Sequence, residues 1–229
     1  MWSKLFGPDA KRLRLLRNTA PGPLLDFYQQ AFTPVATPVR DVHFAVLDFE
    51  TTGLDIERDH VISIGLVEID KLAIPLASAW HQIVKSTLDI PGETAIIHKI
   101  TDDMMIDGMD LDEAFNILLQ RLSGRVLIAH HAGIELGFIN RFCQKQFAQD
   151  FYMPTIDTQL LAQRVLMRQQ ETIKSGALRL FNLRKKYGFP AYRAHNALSD
   201  ALATAELFLA LLNDLYPQRD CRLRDLLSG

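Results

Sequence analysis

What most constrains this chain is a change of pattern at residue 42. From there, short apolar runs rich in β-branched and aromatic residues follow one another, at 43–47 and then 61–69, with Thr51-Thr52-Gly53 as the turn signal between them. Runs of that length, bounded by turn residues, read as neighbouring strands. A third strand is expected at 77–84. The period then lengthens to that of a helix at 112–122, returns to a buried strand at 126–129, and gives a helix at 135–147 with Leu136, Ile139, Phe142, Cys143 and Phe147 at helical spacing. Further helices are expected at 158–168, 178–187 and 197–215, the last carrying Leu198, Ala201, Leu202, Ala205, Phe208, Leu209 and Leu212 on one stripe. A meander of strands followed by alternating strand and helix predicts an α/β fold, a mixed sheet covered by helices on both faces.

The first 40 residues are different. They hold five of the ten prolines (Pro8, Pro21, Pro23, Pro34, Pro38) and six lysines and arginines against Asp9 and Asp26, a charge of +4 that leaves −6 for the rest of the chain. Such proline density breaks helices and strands, so the expected organisation is a basic, proline-rich N-terminal arm (1–40), one domain (41–217) and a C-terminal tail (218–229). Within the arm, 11–18 has the makings of a short basic helix, and Leu24, Leu25, Phe27, Tyr28 and Phe32 offer an apolar face. Packing of that face on the chain's own domain is preferred, with docking to a protein partner as the alternative. The net charge of −2 excludes the strong basic field of a tight, non-specific nucleic-acid binder. No apolar run approaches the roughly 20 residues of a membrane span, so no membrane contact is expected. Cys143 and Cys221 form neither a disulfide framework nor a C-x-x-C pair, and the first residues lack the apolar stretch of a secretory signal, so a reducing cytoplasm is expected.

Three segments carry candidate chemistry. Asp48 and Glu50 close the first strand, where residues i and i+2 project from one face. Two like charges at the edge of a core repel unless a cation sits between them, so D-x-E reads either as a pair leaving for solvent or as half of a divalent-metal site. In His195-Asn196-Ala197-Leu198-Ser199-Asp200, His195 belongs in a loop, Asn196 is a candidate N-cap, and Asp200 lies in the first turn beside the apolar stripe. The run from His130 to Phe138 leads from a buried strand into a helix with Glu135 in its first turn. His130 and His131, adjacent on a strand, point to opposite faces and are not expected to share a metal.

Taken together, Asp48-Phe49-Glu50-Thr51-Thr52-Gly53-Leu54, the 130–138 segment and His195-x-x-x-x-Asp200 resemble the three motifs of the DEDDh family of 3′-5′ exonucleases, in particular the proofreading epsilon subunit of bacterial DNA polymerase III and its free-standing relatives. The resemblance spans roughly 42–215 and takes in Ile97-His98-Lys99-Ile100-Thr101 and Ile156-Asp157-Thr158. It departs from the family at one position, where the third carboxylate is Glu135 rather than aspartate. The extra methylene carries the carboxylate about 1.5 Å further, and Mg²⁺ tolerates little deviation from octahedral geometry, so weaker or Mn²⁺-preferring activity is an open expectation.

The resemblance implies a ribonuclease H-like five-stranded sheet and a two-metal phosphodiester hydrolysis. Asp48 would bridge two divalent cations, Mg²⁺ or Mn²⁺, with Glu50 and Asp200 on the one that holds the attacking water and Glu135 on or near the other. His195 would be the general base near neutral pH. Thr51, Thr52, Gly53 and Leu54 would hold the terminal nucleotide, with Leu54 wedged beside its base, and His98, His130 and Ile134 would lie near by. Lys99, Arg141, Lys145, Lys185, Lys186 and Arg193 are candidates for the phosphates, most of them better explained as solvated surface, and Asp157 is better explained as a helix cap than as a ligand. The expected substrate is the 3′ end of a single nucleic-acid strand, DNA favoured. Trimming of RNA and a catalytically weak binding module are the alternatives. No G-x-G-x-x-G, Walker A, H-E-x-x-H or G-x-S-x-G motif is present, which disfavours a cofactor enzyme.

Overall fold

A computed structural model of the chain describes residues 7–85, 106–192, 195–218 and 220–228. Among these, five strands form one sheet in the order β3-β2-β1-β4-β5: β1 (Phe44–Thr51), β2 (Val61–Ile69), β3 (Trp80–Ile83), β4 (Val126–Ala129) and β5 (Thr155–Asp157). The first three are an antiparallel meander, while β4 runs parallel to β1 and β5 parallel to β4. Parallel neighbours need crossover connections. These are supplied by α3 (Leu111–Leu122) and α4 (Gly133–Phe147), and α5 (Thr158–Arg168), α6 (Leu180–Lys186) and α7 (Ala197–Leu215) follow β5. The mixed sheet with helices on both faces is the architecture the sequence predicts.

Alternation along β1 sorts the core into two layers. Ala45, Leu47 and Phe49 face one cluster, with Phe115, Phe138 and Phe142 of α3 and α4. Phe44 and Val46 face the other, with Val165, Leu183 and Phe208 of α5, α6 and α7. Asp48 and Glu50 continue the second row, so both carboxylates emerge on the α7 side. β1 runs on to Thr51, so the pair lies at the end of the strand, as expected.

The proline-rich segment is ordered by its prolines. Pro8 opens α1 (Pro8–Asn18) and Pro23 opens α2 (Pro23–Gln29), positions where the missing N–H costs nothing and the fixed φ favours the helix. Leu24, Phe27, Tyr28 and Phe32 are buried in the cluster that holds Leu47 and Phe115, so that face is committed to the chain's own core. Arg12 is buried beneath it and donates to the Tyr28 carbonyl at 2.5 Å. Near the other terminus, Leu223 and Leu226 join the second cluster, and Leu223 N–H pairs with the Thr37 carbonyl at 2.9 Å.

Candidate active site

The cleft lies at the C-terminal edge of β1 and β4. One ligand-capable oxygen from each of Asp48, Glu50 and Asp200 lies within 4.8 Å of the others. Asp200 reaches the pair because α7 begins directly on the sheet. Gly65 of β2 is the register partner of Asp48, and a β-carbon there would fall on the backbone of Ala197 and Leu198. The lack of a side chain at Gly65 therefore sets how close the third carboxylate comes. No pattern in a single sequence marks that glycine.

Asp200 is held on both oxygens. The backbone N–H groups of His195 and Asn196 donate to Oδ2 at 2.8 and 3.2 Å, and the Tyr192 hydroxyl donates to Oδ1 at 2.5 Å. Arg184 packs over the Tyr192 ring, 4.9 Å from its centroid, and pairs with Glu206 at 2.6 Å, which anchors the tyrosine. Tyr192 was not legible in the sequence, since nothing about one tyrosine before a helix ties it to that helix's aspartate. Asn196 caps α7 through a 3.1 Å bond from Ser199 N–H, as expected. His195 sits in the preceding loop with φ of 65°, a left-handed conformation that non-glycine residues seldom adopt and that tends to mark functional loops.

Glu135 arrives from the other face. It is buried in the first turn of α4, and its charge is the largest electrostatic influence on Asp48 after burial. Burial raises the Glu135 carboxyl to about 8, and the repulsion of Asp157 adds to it, against the backbone N–H groups of Glu135 and Phe49. Its Oε2 has no hydrogen-bond partner. Asp48 stands well above the ordinary carboxylate range through burial and through the charges of Glu135, Asp200 and Glu50. Asp200 is raised by burial, with the Tyr192 hydrogen bond opposing. Hard oxygen donors, mutually repelling and partly orphaned, fit a divalent cation of the Mg²⁺ class.

The other expected contacts are placed as follows. Thr51 donates to the Gly53 carbonyl at 2.7 Å and Thr52 to Asp59 at 2.9 Å, so these hydroxyls fold the 52–60 loop on itself. Leu54 stands out of it, 72% exposed. Ile134 is partly buried against the first cluster. His130 borders the cleft, and its Nε2 donates to the Leu178 carbonyl at 2.8 Å while its Nδ1 meets Thr158 at 2.9 Å. Asp157 caps α5 and also takes the His131 and Ala132 N–H groups. Arg141 donates to the Ile56 and Asp59 carbonyls, pinning the loop to α4, and Lys186 pairs with Glu171. His98, Lys99 and Arg193 lie outside the described residues.

A family model described as exonuclease matches residues 45–208. The chain belongs to this exonuclease family. Among its relatives, a DNA polymerase III subunit epsilon from Treponema pallidum is 32% identical over 75% of this chain and 77% of its own length. A PolC-type DNA polymerase III from Thermotoga maritima is also 32% identical, over 74% of this chain but only 12% of the polymerase. The chain thus spans a small part of the PolC-type relatives. Among solved structures, the nuclease domain of 3′hExo, a DEDDh family member bound to rAMP, superposes with a TM-score of 0.66 at 16% identity, covering 85% of this chain and 99% of that one. The exonuclease has the ribonuclease H-like fold. No helix among its described residues is long and apolar enough to cross a membrane.

Proposed function

We propose that this exonuclease removes 5′-mononucleotides from the 3′ end of single-stranded DNA. The observation that carries the reading is the convergence of Asp48, Glu50 and Asp200 in one cleft with His195. Asp48, Glu50 and Asp200, with Glu135 from the far side, would hold two divalent cations, Mg²⁺ or Mn²⁺. When bound, these supply positive charge against the scissile phosphate and a more acidic water. His195 takes the water's proton near neutral pH. Asp200 is oriented for its task by Tyr192 and two backbone donors. The 52–60 loop, closed by its own threonines and Asp59, holds the terminal nucleotide with the exposed Leu54 against its base. DNA is favoured because relatives matched along most of their own length are named as DNA polymerase III subunits. The absence of a disulfide framework among its two cysteines accords with a reducing, cytoplasmic setting.

The test is digestion of end-labelled DNA and RNA oligonucleotides with Mg²⁺, Mn²⁺ or EDTA, beside an Asp48→Ala control. Stepwise loss of 3′ nucleotides from DNA, absent in the control and in EDTA, is the expected result. Cleavage of RNA alone would transfer the reading to an exoribonuclease, and binding without cleavage of either would transfer it to a binding module.

A further inference from the structure

The carboxylate cleft opens on the α7 side of the sheet, and the 52–60 loop, which continues β1 beyond Glu50, lies towards the other face. The 52–60 loop lies on the α4 side, where Ile56 joins the first core cluster and Arg141 grips the loop backbone. The start of α6 lies on the α7 side, where Leu178, Leu180 and Leu183 join the second cluster. For a strand whose terminal nucleotide lies at the loop and whose scissile phosphate lies at the carboxylates, the α6 wall of this cleft is the surface beside the next nucleotide.

That wall carries Arg179, Leu180, Phe181 and Asn182, in a cleft of about 520 Å³ shared with Asp48, Glu50 and Asp200. Arg179 is the one permanently cationic side chain among the described residues lining it, and it forms no ion pair with any described carboxylate. Phe181 is 54% exposed, although Leu183, two residues on, is fully buried. The helix thus spends its apolar contact through Leu183 and leaves a phenyl ring at the cleft. The wall is also braced: Asn182 donates to the Gly176 carbonyl at 2.9 Å, and the half-buried His130 holds the Leu178 carbonyl at 2.8 Å. A braced ring beside an unpaired guanidinium is what single-stranded nucleic acid requires, one for a base and one for a phosphate.

We propose that this wall is a second nucleotide subsite, in which Phe181 stacks on the base of the penultimate nucleotide and Arg179 holds its 5′-phosphate. The proposal rests on the exonuclease reading of the cleft. It also assigns His130 a purpose, since His130 positions the wall.

Binding tests it separately from cleavage. Fluorescence anisotropy of a labelled single-stranded DNA dodecamer, in Ca²⁺ and over a range of salt, is measured for the full chain, Phe181→Ala, Phe181→Trp and Arg179→Ala. Phe181→Ala is expected to weaken binding about tenfold, the size of one lost base-stacking contact, with its salt dependence unaltered. Phe181→Trp should restore the affinity, which a merely structural role would not allow. Arg179→Ala should weaken binding and flatten the plot of log Kd against log salt by about 0.7, the loss of one phosphate contact on a single strand. Parental affinity and slope in both alanine variants would overturn the subsite. Failure of the parent to cut DNA would count against the nuclease reading alone.

Discussion

At Glu135, burial decides the protonation state that a metal must displace. With its carboxyl raised to about 8 from an ordinary 4.5, the folded metal-free protein holds a proton there that the unfolded chain has released. Stability from this group is therefore complete below 4.5 and is lost as the pH climbs toward 8. Metal-free protein should melt at progressively lower temperature from pH 5.5 to 8.5, and saturating Mg²⁺ should flatten the trend, as measured by thermal melts in EDTA and in Mg²⁺. Because a protonated glutamate and glutamine are nearly isosteric, Glu135→Gln should leave the metal-free melting temperature at pH 7 close to the parent's while shrinking the shift that Mg²⁺ produces. A large fall in EDTA would show that this carboxyl is ionised and paired in the native state. Glu135→Asp should be at least as active with Mg²⁺ as the parent in the oligonucleotide assay, since it restores the family's shorter carboxylate.

Among the elements, two glycines make a matched pair of tests. A β-carbon at Gly65 would strike the backbone of α7's first residues, whereas one at Gly137 would meet the flexible end of Ile56. A side-chain terminus can rotate and a helix start cannot. Gly65→Ala should therefore cost about 1–3 kcal/mol through overpacking and push Asp200 away from Asp48 and Glu50. Urea unfolding would show the first effect and weaker Mg²⁺ binding by calorimetry the second. Gly137→Ala should do neither to a comparable degree, and equal losses in both variants would refute the account of how α7 is seated.

At the scale of the whole molecule, α1 and α2 lie in the same apolar layer as α3 and α4. Phe27 is 2% exposed and its ring centroid lies 5.2 Å from that of Phe151. Phe27→Ala should lower stability by about 3–5 kcal/mol, read from urea unfolding with an unaltered denaturant slope, although residue 27 lies outside the matched region 45–208. A variant as stable as the parent would mean that the helices are an appendage. The charge pattern had set this segment apart. Charge counts record composition, however, and Arg12 is neutralised locally by Asp9 at 2.6 Å while its neighbours Leu15, Leu24 and Phe27 go into the core.

Local physics was legible in the chain itself. Period-2 alternation put Asp48 and Glu50 on one face, helix-start chemistry placed Asn196 and Asp157 as caps, and the succession of runs gave a mixed sheet between helix layers. Each of these depends on residues a few positions apart, so the sequence carries the whole interaction. Partnerships between distant segments were not legible. Tyr192 on Asp200, Arg141 on the 52–60 loop, His130 on Leu178 and the room made by Gly65 depend on how closely two elements pack. That distance is fixed by side-chain volume summed over an entire layer, and only the folded chain adds it up.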